Sequence, residues 1–429
     1  MTLVTHPGLT ISDEQRLHLA KAKCPGLSLT DTEPTSFDPA RLRRDRLARV
    51  RKMMNDKGYS GCVLLDPFNQ RYATGTRNMF GYFLRNSTRY FFIPANGPVV
   101  LFDYPGSGHV SEVVETVTES RTSKLVWSSI TGKDAESAGA FADEIADLIQ
   151  MYGTGNRRVG IDRCSYSMAS ALIKRGCQPI EFQEDMIRVR AIKTDDEITC
   201  LKLSMISTEE GVHNLRSAIR PGITEQALFA RLYSTIIETG GDFIETRLLS
   251  SGHRTNPWFN EASDKKVRAG DLIALDTDTI GCFGYYSDFS RTFHCGPGRP
   301  SAAQKSLYQM AYDQVQHNIA IIRPGLSFRE IAERAWKIPE KYRARRYTSV
   351  MHGCGMHGEA PFITHFDSFD RYGAEGVLAP NMVLCIESYI GEVDGQDGVK
   401  LEEEVVVTTT GVELISRFPF EEELLGRHL

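Results

Sequence analysis

The sequence predicts an α/β (α+β) chain: a small α/β domain followed by a larger one built from two similar halves. Three observations predict it. Between Asp38 and Arg188, short apolar runs alternate with amphipathic stretches of helical period, the pattern of strands laid against helices. From Thr194 onward the sequence nearly repeats itself, Ile219-Arg-Pro-Gly-Ile223-Thr224 returning as Ile322-Arg-Pro-Gly-Leu326-Ser327. Gly270-Asp-Leu-Ile-Ala-Leu-Asp276 is then echoed by Pro380-Asn-Met-Val-Leu-Cys-Ile-Glu387. Two matches in the same order, each ending on a carboxylate, imply two halves packed about a pseudo-twofold seam, with a site at the seam.

The chain opens on a polar arm, residues 1–37, with a short helical run from Ile11 to Lys23 and an exit rich in Pro, Thr and Ser. The first domain, residues 38–190, starts with a helix from Arg41 to Lys57, because Leu42, Leu47, Val50 and Met53 recur at near-helical spacing. Strands follow from Gly61 to Leu65, Tyr90 to Ile93 and Val99 to Phe102, the last two joined by an Ala-Asn-Gly turn that predicts a hairpin. Further strands fall at Lys124 to Trp127, Arg158 to Ile161 and Pro179 to Phe182. This domain carries no Gly-rich phosphate loop and no His/Cys set at metal spacing, so it is assigned no catalytic role. The second domain, residues 191–429, begins with a capping box in which Thr194 and Glu197 open a long helix carrying Ile198, Leu201 and Met205.

A chain of 429 residues can hold two or three domains with full cores. Lys+Arg 50 against Asp+Glu 55 gives a net charge of -5, which argues against nucleic acid as the main partner. No apolar run reaches the length of a membrane span, and the N-terminus lacks the basic-then-apolar order of a signal peptide. The nine cysteines are scattered singly, with no Cys-x-x-Cys pair, which fits reduced thiols in a cytoplasmic protein rather than a disulfide framework or a zinc knuckle.

The chemistry concentrates after Gly270. An apolar strand, Leu272 to Leu275, runs into Asp276, Thr277 and Asp278, and residues two apart on a strand share a face, so both carboxylates are expected to point the same way. Gly281 and Gly284 let the chain turn, and a second alternating run (Tyr286, Asp288, Ser290, Thr292) brings a third carboxylate to the patch. Three acids there repel one another and lose hydration unless a cation compensates them, and a hard divalent metal is the natural occupant. The other half adds His352 in a Gly-rich run, Glu387 at the end of the strand Met382 to Ile386, and Glu402 at the opening of the strand Glu403 to Thr408. Asp276, Asp278, Asp288, His352, Glu387 and Glu402 form an oxygen-rich set with one imidazole, suited to two carboxylate-bridged ions such as iron, manganese, cobalt or zinc. Plainer readings exist for each: a solvated acidic turn, a hydrogen-bonded loop histidine, an ion pair between Asp288 and Arg291. Glu403 and Glu404 are expected to face solvent or form cross-strand pairs and are not counted as ligands.

From Thr194 to the C-terminus the chain resembles the pita-bread metallohydrolases, the group of methionine aminopeptidase, aminopeptidase P, prolidase and creatinase. The SDxxRTF, HGxG and strand-ending Glu motifs stand in that family's order, and the preceding domain is similar to the creatinase-type N-terminal domain. The resemblance implies metal ligands at Asp288, His352, Glu387 and Glu402, with Asp276 or Asp278 as the other aspartate. Two departures matter. Peptide-cleaving members carry a histidine before Glu-x-Pro, where Gly358 stands here ahead of Glu359-Ala360-Pro361, and they use a histidine upstream of the first aspartate, where this chain reads Ser251-Gly-His-Arg-Thr-Asn-Pro-Trp258-Phe259.

Those departures, with the Asp-x-Asp pair, Tyr347 five residues before His352 and the Gly398 to Glu402 segment, are similar to the pita-bread branch of DddP-type dimethylsulfoniopropionate lyases. That branch implies β-elimination to acrylate and dimethyl sulfide, two divalent ions with iron placed first, a small-molecule substrate and a homodimer. Trp258, Phe259 and Tyr286, with Tyr285 and Tyr347, would offer aromatic faces to a sulfonium group. The lyases place an Asp base where Gly358 stands, and glycine cannot take a proton. His357 and Glu359 flank it as the candidate bases, and with Tyr347 they are the candidate catalytic residues. The rival expectation is a dinuclear-metal hydrolase of Xaa-Pro peptides or of a creatine-like C–N bond.

Overall fold

The computed structural model describes residues 37–126 and 131–426. Of the expected arm only Phe37 is among them, and it is buried; the helical run from Ile11 to Lys23 lies outside the described residues, as does Trp127. The described chain divides into two compact units, residues 37–190 and 191–426. Among the described residues no helix is long and apolar enough to cross a membrane.

In the first unit, β1 (Gly61–Leu64), β2 (Tyr90–Pro94), β3 (Val100–Asp103), β4 (Glu119–Thr122), β5 (Arg158–Ile161) and β6 (Gln178–Glu181) form one sheet in the order β4-β3-β2-β1-β5-β6. The expected hairpin is present, β2 pairing antiparallel with β3, while β4, β5 and β6 join in parallel. Helix α1 (Pro39–Lys57) starts where the Asp38 side chain accepts the Ala40 amide and stops at left-handed Gly58. Helix α2 (Asp134–Tyr152) buries Phe141, Ala142, Ile145, Leu148 and Ile149 as one stripe in a core shared with Tyr90, Phe92 and Phe102. One strand departs from expectation. The polar stretch Glu119–Thr122 forms it by pairing with β3, whereas Leu125 and Val126 are buried beyond its end without strand pairing. An available edge, more than hydrophobicity, decided that assignment.

The second unit shows the duplication bond by bond. Helix α3 (Asp195–Ala218) opens on the expected capping box and leads through residues 219–224 to α4 (Glu225–Glu238). Helix α5 (Ala302–Ile321) leads in the same way through residues 322–327 to α6 (Phe328–Arg334). In the first linker Gly222 has a φ of 90° and donates to the Val267 carbonyl at 2.9 Å; in the second Gly325 has a φ of 88° and donates to the Leu378 carbonyl at 2.8 Å. Thr224 and Ser327 then cap α4 and α6. Gly270 (φ 86°) and Asn381 (φ 68°) take matching left-handed positions ahead of the two central strands, β9 (Leu272–Asp276) and β15 (Val383–Gly391).

Around β9 the first half builds two small antiparallel sheets. One comprises β8 (Leu249–Ser251), β9 and β12 (Ser290–His294); the other comprises β7 (Phe243–Ile244), β10 (Thr279–Ile280) and β11 (Tyr286–Ser287). Around β15 the second half builds one antiparallel sheet with β13 (Ser349–Cys354), β14 (Gly358–Thr364), β16 (Gly398–Val407) and β17 (Val412–Leu414), in the order β14-β13-β15-β16-β17. Alternation gives this sheet two unlike faces. Leu384, Ile386, Val405 and Val407 pack with Ile331 and Phe328 of α6, and Ile390, Val399 and Leu401 pack with Tyr308, Ala311 and Val315 of α5. The other face carries His352, Cys354, Cys385, Glu387, Tyr389, Lys400, Glu402 and Glu404. Three boundaries differ from expectation. Glu387 and Glu402 sit inside β15 and β16 rather than at strand ends, and the run from Tyr286 to Thr292 is split, with Asp288 between β11 and β12.

Candidate metal centre

The first half delivers three carboxylates by three routes. Asp276 is the last residue of β9 and stands opposite Ser290 of β12. Asp278 lies outside the strand with a φ of 40°, so a left-handed turn aims it, not strand alternation. The hydroxyls of Thr246 and Tyr286 donate to its two oxygens. Asp288 sits in the break between β11 and β12, its amide donating to Glu404 Oε2 at 3.0 Å. One oxygen from each of Asp276, Asp278 and Asp288 falls within 4.8 Å of the others. The ion pair considered for Asp288 is not formed: Arg291 donates to Glu403 at 2.8 Å and to the Phe418 carbonyl at 3.1 Å.

Strand register assembles the rest. Glu387 stands directly opposite Glu402, and Cys385 stands opposite Glu404 on one side and His352 on the other. His352 Nε2 lies 3.3 Å from Glu387 Oε1, 3.6 Å from Asp288 Oδ2 and 3.7 Å from Glu402 Oε1. All six expected ligand residues therefore converge. Lys400, which the sequence reading passed over, reaches the same place: its Nζ is 2.6 Å from Glu387 Oε2, 2.9 Å from Glu402 Oε2 and 3.3 Å from Asp276 Oδ2. It also donates to the Ser290 hydroxyl at 2.6 Å. Both glutamates thus give one oxygen to the ammonium and turn the other toward His352.

Burial sets the electrostatics. Burial, then the charges of Glu402, Asp278, Asp276 and Glu387, push the Asp288 carboxyl well above the usual range. Glu402 is raised by burial and by Glu387, against Lys400. Burial and Asp276 raise Asp278 to about 6. Burial would also raise Asp276, but Lys400 and the Ser290 hydroxyl outweigh it and hold that carboxyl low. Burial would lower Lys400, and the surrounding carboxylates hold it well above the ordinary ammonium range instead. Among the described residues, Asp288 Oδ1 and Glu402 Oε1 are buried without a hydrogen-bond partner. Orphaned carboxylate oxygens, mutual repulsion and a convergent oxygen-rich donor set with one imidazole are what a divalent cation would relieve, so the residues present fit a metal pair.

Next to Lys400 stands an aromatic wall. Its Nζ is 4.9 Å from the Tyr347 ring centroid and 5.9 Å from that of Trp258; Trp258 packs on Tyr389 at 5.9 Å, and Phe259 on Tyr347 at 5.7 Å. Trp258 is buried, whereas Phe259 is 59% exposed. Tyr286 is buried and committed to Asp278. On the loop after His352, His357 is half-buried with Nδ1 2.6 Å from the Gly358 carbonyl. Glu359 is buried; its carboxylate accepts the Met356 amide at 2.9 Å and faces Lys193 at 3.4 Å. A Cβ on Gly358 would meet only the His352 ring, at 3.9 Å.

One half of an expectation falls here and the other stands. Glu403 and Glu404 do not face solvent, since both are buried, but they do pair across strands, Glu403 with Arg291 of β12 and Glu404 opposite Cys385 with the Asp288 amide on its carboxylate. Lys400, Glu402 and Glu404, like Cys385 and Glu387, are two apart on their strands, and that period-2 spacing was the available signal.

With this geometry in place, comparison with known proteins is direct. Metallopeptidase family M24 matches residues 199–409, and the Creatinase/Prolidase N-terminal domain matches residues 46–192. A dimethylsulfoniopropionate lyase DddP from Roseovarius nubinhibens is 34% identical over 408 residues, covering 94% of this chain and 90% of the relative. The chain belongs to the M24 metallopeptidase family. A second lyase DddP, from Roseobacter denitrificans, is 31% identical to this M24 chain, covering 91% of it and 88% of the relative. Among solved structures, an Xaa-Pro dipeptidase from Bacillus anthracis aligns with a TM-score of 0.71 at 24% identity, over 88% of this chain and 99% of that one. The prolidase from Pyrococcus furiosus aligns with a TM-score of 0.68 at 21% identity, over 86% and 99%. These likenesses show the fold, a pita-bread M24 domain behind a creatinase-type N-terminal domain. M24 enzymes are dinuclear metalloenzymes.

Proposed function

We propose that this M24 enzyme is a metal-dependent lyase cleaving dimethylsulfoniopropionate, or a similar small zwitterionic carboxylate, by β-elimination to acrylate and dimethyl sulfide. One juxtaposition carries the reading: an acidic cluster fit for cations lies beside Lys400, whose ammonium is 4.9 Å and 5.9 Å from the Tyr347 and Trp258 rings. Asp276, Asp278, Asp288, His352, Glu387 and Glu402 would hold two divalent ions, iron in this proposal. Ions held there would supply positive charge for the substrate carboxylate and for the charge left as the Cα proton departs. The faces of Trp258, Phe259 and Tyr347 meet the sulfonium. Lys400 holds the outer oxygens of Glu387 and Glu402, keeping their inner oxygens turned to the His352 side. A base takes the Cα proton, the Cβ–S bond breaks with its electron pair going to sulfur, and acrylate and dimethyl sulfide leave. We assign the base to His357, because Glu359 is bonded to the Met356 amide and Lys193, while burial and the Glu387 charge push the Tyr347 phenol far above its ordinary range and keep it protonated. A histidine titrates in the useful range.

The test is dimethyl sulfide in the headspace over metal-loaded protein. Release is expected, and its absence with metal confirmed bound removes the lyase. His357→Gln should cost roughly 10²–10⁴-fold in rate, whereas Tyr347→Phe, which keeps the aromatic face, should cost far less. Gly358→Asp, entering the open space beside His352, is expected to raise the rate. The second reading, hydrolysis of an Xaa-Pro peptide or a creatine-like C–N bond, is favoured by the M24 match itself; a dipeptide panel with proline second decides it. A homodimer is part of the proposal, checked by light scattering.

A further inference from the structure

Cys385 lies two residues ahead of Glu387 on β15, so both side chains share the face that lines the cluster. Its cross-strand partners are His352 and Glu404. One ligand atom from each of Asp288, His352, Cys385 and Glu402 falls within 4.8 Å of the others, and Cys385 and Glu402 are both fully buried. A second group, Cys354, Cys385 and Glu404, has the same closeness and shares the same sulfur.

A buried cysteine is ordinarily a small apolar filler. The neighbours here are wrong for that: an imidazole, three carboxylates and a second thiol. Two of those carboxylates each keep an oxygen with no hydrogen-bond partner among the described residues, Asp288 Oδ1 and Glu402 Oε1. Lys400 does not satisfy them, because it bonds Oε2 of Glu402 and Oε2 of Glu387. The ammonium therefore neutralises one side of the cluster and leaves the His352 side to something else.

We infer that the Cys385 thiolate is a direct ligand of the ion on the His352 side, making that position a mixed nitrogen, oxygen and sulfur site that selects a thiophilic divalent ion. Cys354 and Glu404 brace the sulfur from behind. As the sulfur–metal bond forms, the S–H bond breaks and its proton passes to solvent. Thiolate ligation favours iron, cobalt, zinc or cadmium over manganese or magnesium. The inference rests on the metal-centre reading above, and its test is separable from that reading.

The full chain is stripped and loaded with cobalt(II). Retained cobalt with a near-ultraviolet sulfur-to-cobalt charge-transfer band is expected, alongside the weaker visible bands of the ion. Cys385→Ser should keep the cobalt and the visible bands and lose the charge-transfer band, while Cys354→Ser keeps all of them. Cys385→Ser should also lose the preference for cadmium over manganese by roughly tenfold. Cobalt bound by wild type without the band, or a band that survives Cys385→Ser, overturns the thiolate ligand and leaves the metal centre standing. No cobalt retained at all sinks both. Should Cys385→Ser fail to fold, cadmium-113 resonance of the loaded wild type decides: a sulfur-shifted signal supports the ligand, and only oxygen- and nitrogen-type signals overturn it.

Discussion

The two halves of the duplicated domain share their linkers, their caps and their left-handed entry residues, yet they bring different chemistry to the seam. Around β9 the strands are short, and Asp276, Asp278 and Asp288 arrive from a strand end, a left-handed turn and a strand break. Around β15 the strands are long, and one face of a single sheet lines up His352, Cys385, Glu387, Lys400 and Glu402 by register alone. A turn can aim hard carboxylates from awkward backbone, whereas a broad sheet repeats a direction and can present unlike groups side by side. Duplication supplied the scaffold, and strand length decided what each copy could hold.

Four tests, using six substitutions, would break or sharpen that contrast. Lys400→Met should have the largest effect, because removing the one ammonium shared by Asp276, Glu387 and Glu402 leaves buried charge unpaired, at about 3–5 kcal/mol. Urea unfolding of metal-free protein measures it, and a loss under about 1 kcal/mol, as for an exposed pair, would mean the halves are not joined through that lysine.

Glu209→Gln comes next. Glu209 on α3 accepts the amides of Arg417 and Phe418, and burial raises its carboxyl from 4.5 to about 7. Folding therefore favours the protonated form; the stabilisation is full below pH 4.5 and is lost as pH rises through 7. The stability difference between wild type and Glu209→Gln should shift against wild type by up to about 3 kcal/mol across that window. A flat difference would show the carboxyl titrating normally.

Metal retention distinguishes the halves more directly. His352→Ala should lose the ion on its side outright. Asp278→Asn, whose new side chain tolerates the left-handed backbone, should weaken binding by roughly 10–100-fold. Elemental analysis after dialysis reads both, and equal behaviour would erase the distinction.

Smallest is a pair of glycines within one loop. A Cβ on Gly355 would sit 2.4 Å from Glu359 Oε2, so Gly355→Ala should cost about 1–3 kcal/mol. A Cβ on Gly358 would reach only ordinary van der Waals contact with the His352 ring, and Gly358→Ala should stay within about 0.5 kcal/mol. Thermal unfolding of the two variants checks the order.

Much of this is legible in the amino-acid sequence. The repeat could be read because both copies keep a glycine in a left-handed linker and a hydroxyl cap, demands that only a few residue types meet. The six acid and imidazole positions could be read because such groups are rarely gathered without a cation. Lys400 was not legible, since a lone lysine near a strand normally reads as a solvent-facing side chain; only its spacing from Glu402 marks the face. Glu403 and Glu404 misled for the same reason, as three adjacent acids suggest water, yet burial is tolerated because Arg291 and the Asp288 amide meet them from opposite faces. The Asp-x-Asp pair pointed the right way for another cause, a left-handed turn in place of strand alternation.

Residues 416–418 reach back into this machinery from the far end of the chain. The Ser416 hydroxyl bonds Glu403 and donor groups of Arg291 meet the Phe418 carbonyl, while the same guanidinium grips the Glu402 backbone oxygen at 2.7 Å. A proteolytic clip behind Ile415 would strip those anchors from β12 and β16 together and leave the buried Arg291 guanidinium short of acceptors, so stability and the geometry of the cluster would be lost in one stroke.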